Sequence, residues 1–192
     1  EFLPVTAHGV KLLSMGLLIN ESDPVAVRGP LATRYVQQFL RNVAWGDVDF
    51  LILDLPPGTG DIQLTIVQTA ELDGVVVVTT PQPSASDIAV RSGLLALQVP
   101  MKVRGVVENM SYYEHKGEKL EIFGAGGGQR VSEQLTQALG YDVPLMAQLP
   151  LEPEVRETGE AGRPAVLDAD GALRTDGIGQ TFRGLAERLL AV

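Results

Sequence analysis

Short apolar runs bounded by turn residues alternate along this chain with stretches of helical spacing. Val10-Lys-Leu-Leu-Ser-Met-Gly-Leu-Leu18 reads as a first strand, and Asn20 to Pro24 carries turn chemistry. Arg28-Gly29-Pro30 opens a helix, with Pro30 early enough that its missing N–H costs little. Leu31, Tyr35, Phe39 and Val43 give that helix an apolar face, and Trp45-Gly46 ends it, with Trp45 as a packing anchor. The run Phe50-Leu-Ile-Leu53 then leads straight into Asp54 and predicts a central strand buried on both faces of a parallel sheet. Pro56 to Asp61 is a turn, and Asp61 serves as N-cap of a helix over Ile62 to Ala70, with Ile62, Ile66 and Val67 as its stripe.

The β-branched run Gly74 to Thr80 predicts a second fully buried strand, followed by a helix capped by Ser86 or Asp87 and running to about Gln98. Val103 to Met110 is a further strand, with Asn109 at its carboxyl end. Ser111 to Gly128 reads as a hairpin or loop and then a glycine-rich turn into a helix over Gln129 to Gly140. A last strand over Val143 to Pro150 precedes a short helix near Glu154 to Glu157 and an amphipathic helix over Thr181 to Ala191. Strands alternating with helices predict a three-layer α/β architecture with a mainly parallel sheet, and 192 residues fit one domain spanning 1–192.

Composition narrows the chemistry. An apolar fraction of 45% supports a substantial core, while a net charge of −9 argues against a broad nucleic-acid surface. There is no cysteine, so disulfides, thiolate nucleophiles and cysteine-ligated clusters are excluded within these residues. His8 and His115 are too few for a histidine metal site. No apolar stretch reaches the ~18 residues of a membrane helix, and no signal-peptide pattern is visible. Together these point to a cytoplasmic protein without a membrane partner.

Two features carry candidate chemistry. Asp54 ends an apolar strand where open α/β sheets bind ligands. A carboxylate so placed can hold magnesium, directly or through water, or simply cap a turn. Gly124-Ala-Gly-Gly-Gly128 before a helix either cradles an anion or is a permissive loop, and it fits neither the Walker A nor the dinucleotide pattern.

Six strings occur in order: Trp45 to Asp49, Asp54-Leu-Pro-Pro-Gly-Thr-Gly-Asp61, Thr79-Thr-Pro-Gln82, Val107-Glu-Asn-Met-Ser111, Ile122-Phe-Gly-Ala-Gly-Gly-Gly128 and Gln148-Leu-Pro-Leu151. Together they resemble the Mrp family of P-loop ATPases, iron–sulfur cluster carriers or scaffolds related to the ParA and MinD group. The resemblance covers roughly residues 4 to 167. It implies a P-loop NTPase-like domain that binds ATP and magnesium. Asp54 would be the Walker B acid and would hold magnesium through water. Gly58 to Asp61 would be the switch segment sensing the terminal phosphate, with Asp54, Gly58 and Asp61 forming the catalytic set. Asn109 would read the adenine edge, and Leu149, Pro150 and Leu151 would pack against the base. A homodimer is implied, with iron–sulfur acceptor or scaffold proteins as further partners.

The chain departs from the family pattern in three places. Val27 stands where a Trp is usual before Arg28-Gly29-Pro30. No Gly-Lys-Gly-Gly-Val-Gly-Lys-Ser/Thr loop occurs, so the resemblance implies roughly the C-terminal two-thirds of such a domain, without its N-terminal strand, phosphate loop and helix. Such a chain is expected to hydrolyse ATP negligibly on its own, and the gap in its sheet is expected to favour association. Many members carry Cys-x-x-Cys after Glu-Asn-Met-Ser, whereas Tyr113 to Gly117 here offers only Glu114 and His115. Two other functions fit the same strings: a non-hydrolysing interaction module that keeps the switch and dimer surfaces, and a ParA- or MinD-like partitioning ATPase.

Overall fold

A computed structural model describes residues 2–17, 29–55 and 61–191, with the backbone alone for 29–33, 36, 61 and 62. The chain divides into two units, residues 1–72 and 73–192.

The first unit opens with a hairpin, β1 (Val5–Ala7) antiparallel to β2 (Val10–Leu12). His8 and Gly9 make its two-residue turn with φ of 51° and 78°, the left-handed pair that matches strand twist. The predicted strand over Val10 to Leu18 therefore survives only in its first three residues. Ser14 stops it, because its carbonyl and hydroxyl accept the N–H groups of Leu17 and Gly16 and wind Met15–Leu17 into a 3-10 turn. Residue 18 and the Asn20–Pro24 turn lie outside the described residues. Helix α1 (Gly29–Arg41) forms as its spacing predicts, and Phe39 meets Phe2 edge-to-face at 6.4 Å. Phe2 also forms a parallel bridge to Val43, and the Trp45 indole N–H donates to the Phe39 carbonyl at 3.3 Å, the anchoring role expected of it. Helix α2 (Asp61–Thr69) buries Ile66 and Val67 as predicted, together with Gln63.

The predicted central strand over Phe50 to Leu53 is not observed. Residues 50–55 form no strand, with Phe50 68% and Ile52 88% exposed. A strand is a property of a pair, and this run has no ladder partner among the described residues. Apolar side chains alone do not make a pleated surface on which to bury themselves.

The second unit holds the sheet. β3 (Val75–Thr79) leads through α3 (Pro83–Gly93) to β4 (Val103–Glu108). The hairpin β5 (Tyr113–His115) and β6 (Glu118–Leu120) follows, then α4 (Gly127–Leu139), β7 (Leu145–Gln148), α5 (Pro153–Glu160) and α6 (Gly177–Leu190). The main sheet has the order β3-β4-β7 and is parallel throughout. β4 lies in the middle, so its alternate residues serve two cores. Val103 and Val106 join Val77, Ala89, Val131 and Leu135 under α3 and α4. Val107 joins Leu149 and Ile178 under α6. The three-layer α/β prediction is met within this unit.

Some boundaries moved. α3 starts at Pro83 rather than at a Ser86 or Asp87 cap, since proline's fixed φ suits the first turn. Ser86 is buried inside the helix, its hydroxyl donating to the Gln82 carbonyl. β3 is not buried throughout: it pairs with β4 alone among the described residues, and Val78 is 61% exposed. Gly105 allows β4 and β7 to approach, because a Cβ there would sit 2.4 Å from Met146 Cγ and 2.8 Å from the Pro144 carbonyl oxygen.

Gly105→Ala is expected to destabilise the second unit by about 1–3 kcal/mol, since Pro144 backbone cannot yield as a side chain can. Gly184→Ala, in α6 with open space around its Cβ position, is expected to stabilise by up to ~1 kcal/mol. Urea unfolding of the two variants checks both signs.

Candidate functional site

The carboxyl ends of β4 and β7 build one continuous edge. Leu149 N donates to the Glu108 carbonyl at 2.8 Å, and Ser111 N returns a bond to the Leu149 carbonyl at 2.9 Å. Leu151 N reaches the Tyr112 carbonyl at 2.7 Å, and Asn109 N binds the Thr79 carbonyl at 2.7 Å. Asn109 and the Leu149–Leu151 segment, 40 residues apart in sequence, are thus neighbours on one edge. Asn109 Oδ1 accepts from Met110 N at 2.9 Å, and Met110 takes a φ of 55° as the chain turns away. The Asn109 Nδ2 group has no hydrogen-bond partner among the described residues. Leu149 turns inward to the core, while Pro150 and Leu151 line a cavity.

Beneath this edge lies a residue that the sequence reading did not single out. Glu108 is 1% exposed, and both its carboxylate oxygens are held. Oε2 accepts from Gly128 N at 2.5 Å, and Oε1 accepts from Gln148 Nε2 at 2.9 Å. Gly128 is in the first turn of α4, where backbone N–H groups lack helical partners and favour a negative charge. The glycine-rich segment therefore does receive an anion, and that anion is the protein's own carboxylate. Close packing accounts for two of its glycines. A Cβ on Gly128 would meet Glu108 Cβ at 2.8 Å, and one on Gly127 would meet the Thr80 carbonyl at 2.6 Å. The available signal was an acid closing an apolar strand, followed by a glycine triplet, but nothing in that spacing pairs the two.

The remaining predicted residues are placed as follows. Asp54 is exposed in the first unit, at the end of the unpaired apolar stretch. Gly58 lies outside the described residues. Asp61 is the first residue of α2, and its side chain is not described. Thr80, in the Thr-Thr-Pro-Gln string, has a buried hydroxyl with no hydrogen-bond partner among the described residues.

A cavity of about 500 Å³ opens between the β5–β6 hairpin, the Pro150–Pro153 loop and the start of α6. Tyr112, Tyr113, Glu114, Leu151 and Glu152 are among its walls. The hairpin turns at Lys116 and Gly117, with φ of 53° and 82°, and Lys119 lies over the Tyr112 ring at 4.0 Å. His115 is exposed and stacks on Tyr113. Burial raises the pKa of the Glu152 carboxyl; Arg174 opposes this, and the carboxylates of Glu154, Glu114 and Asp176 add to it. Arg174 is itself paired with Glu154 at 2.9 Å and Asp176 at 3.2 Å.

A sequence model of the ParA family described as NUBPL iron-transfer P-loop NTPase matches residues 1–189. The chain is 48% identical over 168 residues to the iron-sulfur cluster carrier protein of Mycobacterium leprae (strain TN), covering 87% of this chain and 44% of that protein. It is 44% identical over 192 residues to the iron-sulfur cluster carrier protein of Mycobacterium tuberculosis (strain ATCC 25618 / H37Rv), covering 96% of this chain and 50% of that protein. The chain thus spans about half the length of the curated relatives it matches. Among solved structures it is similar to the nucleotide-binding protein of Archaeoglobus fulgidus in complex with ADP. The TM-score is 0.68 at 31% identity, over 88% of this chain and 64% of that one.

The raised Glu152 pKa makes stability depend on pH. A raised carboxyl pKa means that folding favours the protonated form. Its stabilising contribution is complete below the ordinary glutamate range and is lost as pH rises through the raised value. Glu152→Gln is therefore expected to be more stable than the wild-type chain at neutral pH, by a fraction of 1 kcal/mol given its exposure. The difference should vanish as pH falls below the ordinary glutamate range. Thermal unfolding from pH 3 to pH 8 checks it, and a difference that grows on acidification would contradict it.

Proposed function

The chain belongs to the ParA family of NUBPL iron-transfer P-loop NTPases, and we propose that it supplies the base-reading edge and the Walker B segment of an ATP site in an iron–sulfur cluster carrier. The observation that carries this reading is that Glu108, Ser111 and Tyr112, the residues around Asn109, bond to Leu149 and Leu151, so that Asn109 and Leu149–Leu151 share one edge of a parallel sheet. The Nδ2 group of Asn109 is a donor ready for a ring acceptor of adenine, and its Oδ1 is already engaged. Pro150 and Leu151 offer apolar surface to the base. The similarity to a nucleotide-binding protein in complex with ADP supports the same assignment.

In this reading Asp54 holds magnesium through water, and Gly58 to Asp61 respond to the terminal phosphate. The donor set fits this limited duty. Asp54 is exposed, and among the described residues no cluster of three or more His, Asp or Glu forms a cage. Magnesium is commonly held by one or two carboxylates, with waters and phosphates filling its other positions. Magnesium, when bound, neutralises charge on the phosphates. The phosphate-cradling backbone and lysines come from outside these 192 residues, as do any thiolate ligands for the cluster that is carried. The carrier would act as a homodimer in the cytoplasm, passing its cluster to acceptor or scaffold proteins.

A nucleoside tests the base-reading edge without calling on phosphate groups. Titration of the 192-residue chain with millimolar adenosine, followed by ¹H–¹⁵N NMR, should move the Asn109 side-chain amide and the backbone amides of Leu149 and Leu151. Asn109→Ala should weaken that binding about tenfold, the worth of one buried hydrogen bond, and Asp54→Ala should leave it unchanged. No movement at these positions, or binding indifferent to Asn109, would overturn the assignment.

A further inference from the structure

Glu108 and Gln148 are cross-strand partners in the β4–β7 register, and each stands immediately before a residue of the base-reading edge. Glu108 precedes Asn109, and Gln148 precedes Leu149. Their side chains are joined at 2.9 Å, and the second Glu108 oxygen is fastened to α4 through Gly128 N. The Glu108 main chain is held as well, since its carbonyl accepts from both Leu149 N and Ser111 Oγ at 3.0 Å. Three elements thus meet at one carboxylate directly under the edge.

A buried carboxylate is costly unless its lone pairs are satisfied, and an apolar residue at this position would keep the sheet without that cost. Val103 and Val106 on the same strand meet α3 and α4 through apolar contact alone. The other charged residue of β4, Arg104, donates to the Asp73 carbonyl at the exposed start of the strand, whereas Glu108 is the buried charge and stands where the chain leaves the sheet. We propose that Glu108 is a positioning residue for nucleotide-base recognition: its carboxylate, shared between Gln148 and the α4 N-terminus, fixes the register of Asn109 against Leu149–Leu151. This rests on the reading of that edge as a base site. Glu108 touches no ligand and acts through its two neighbours.

Adenosine binding to the 192-residue chain, followed at the Asn109 side-chain amide, tests the proposal. Glu108→Gln keeps the shape of the side chain, but it turns a donor towards one of two donors. It is expected to weaken binding about tenfold, the scale of a lost charge-assisted hydrogen bond. The exchange Glu108→Gln/Gln148→Glu restores both bonds: the new amide oxygen accepts from Gly128 N and the new amide nitrogen donates to the carboxylate at 148. It is expected to recover the wild-type affinity to within about threefold. Should Glu108→Gln fail to fold, Gln148→Ala leaves the carboxylate on Gly128 N and should itself weaken binding several-fold. Unchanged affinity in the folded single variant, or a folded exchange variant as weak as the single one, would overturn the positioning role while leaving the base site intact. A wild-type chain that does not bind adenosine would overturn the base site, and the positioning role with it.

Discussion

The second unit depends on one buried charge. Glu108 closes the central strand, and its carboxylate is the point at which β4, β7 and α4 are joined. Burying a carboxylate costs several kcal/mol, and the cost is offset only when hydrogen bonds reach its oxygens. Here a side-chain amide takes one oxygen and a helix N-terminus takes the other. Gly127 and Gly128 follow from that arrangement, since a side chain at either would hold α4 off the strand ends. The edge above, with Asn109 and Leu149–Leu151, inherits its geometry from this junction.

The central place of β4 gives the sheet its two cores. Alternation sends Val106 to the α3–α4 side and Val107 to the α6 side, so one short strand organises both layers. The family assignment and the similarity to an ADP-bound protein agree with a parallel α/β sheet of this kind, and open sheets of that class generally bind ligands beyond the carboxyl ends of their strands. The 192 residues contain no cysteine and so offer no thiolate ligand themselves.

How much could be read from sequence depended on how local each cause was. β3 and β4 were legible because their β-branched runs match the pleated surface that they occupy. α1 and α2 were legible from helical spacing. The boundary of α3 was missed because Pro83 outweighed two good capping residues beyond it. Phe50 to Leu53 was misread because apolarity marks a readiness for burial, whereas a strand requires a partner. Asn109 and Leu149–Leu151 were grouped through a family resemblance, and their adjacency arises from bonds spanning some 40 residues. Glu108 was not legible: its partners lie 20 and 40 residues away, and an acid at the end of a strand usually faces water.

The junction at Glu108 can be observed directly in the Gly128 amide. In the ¹H–¹⁵N spectrum of the wild-type chain, a proton donated to a buried carboxylate should resonate far downfield and exchange slowly with solvent. Both properties should be lost in Glu108→Ala, while the amides of β3 remain protected. A Gly128 amide that exchanges as fast as the exposed turn glycine Gly117 would contradict the account.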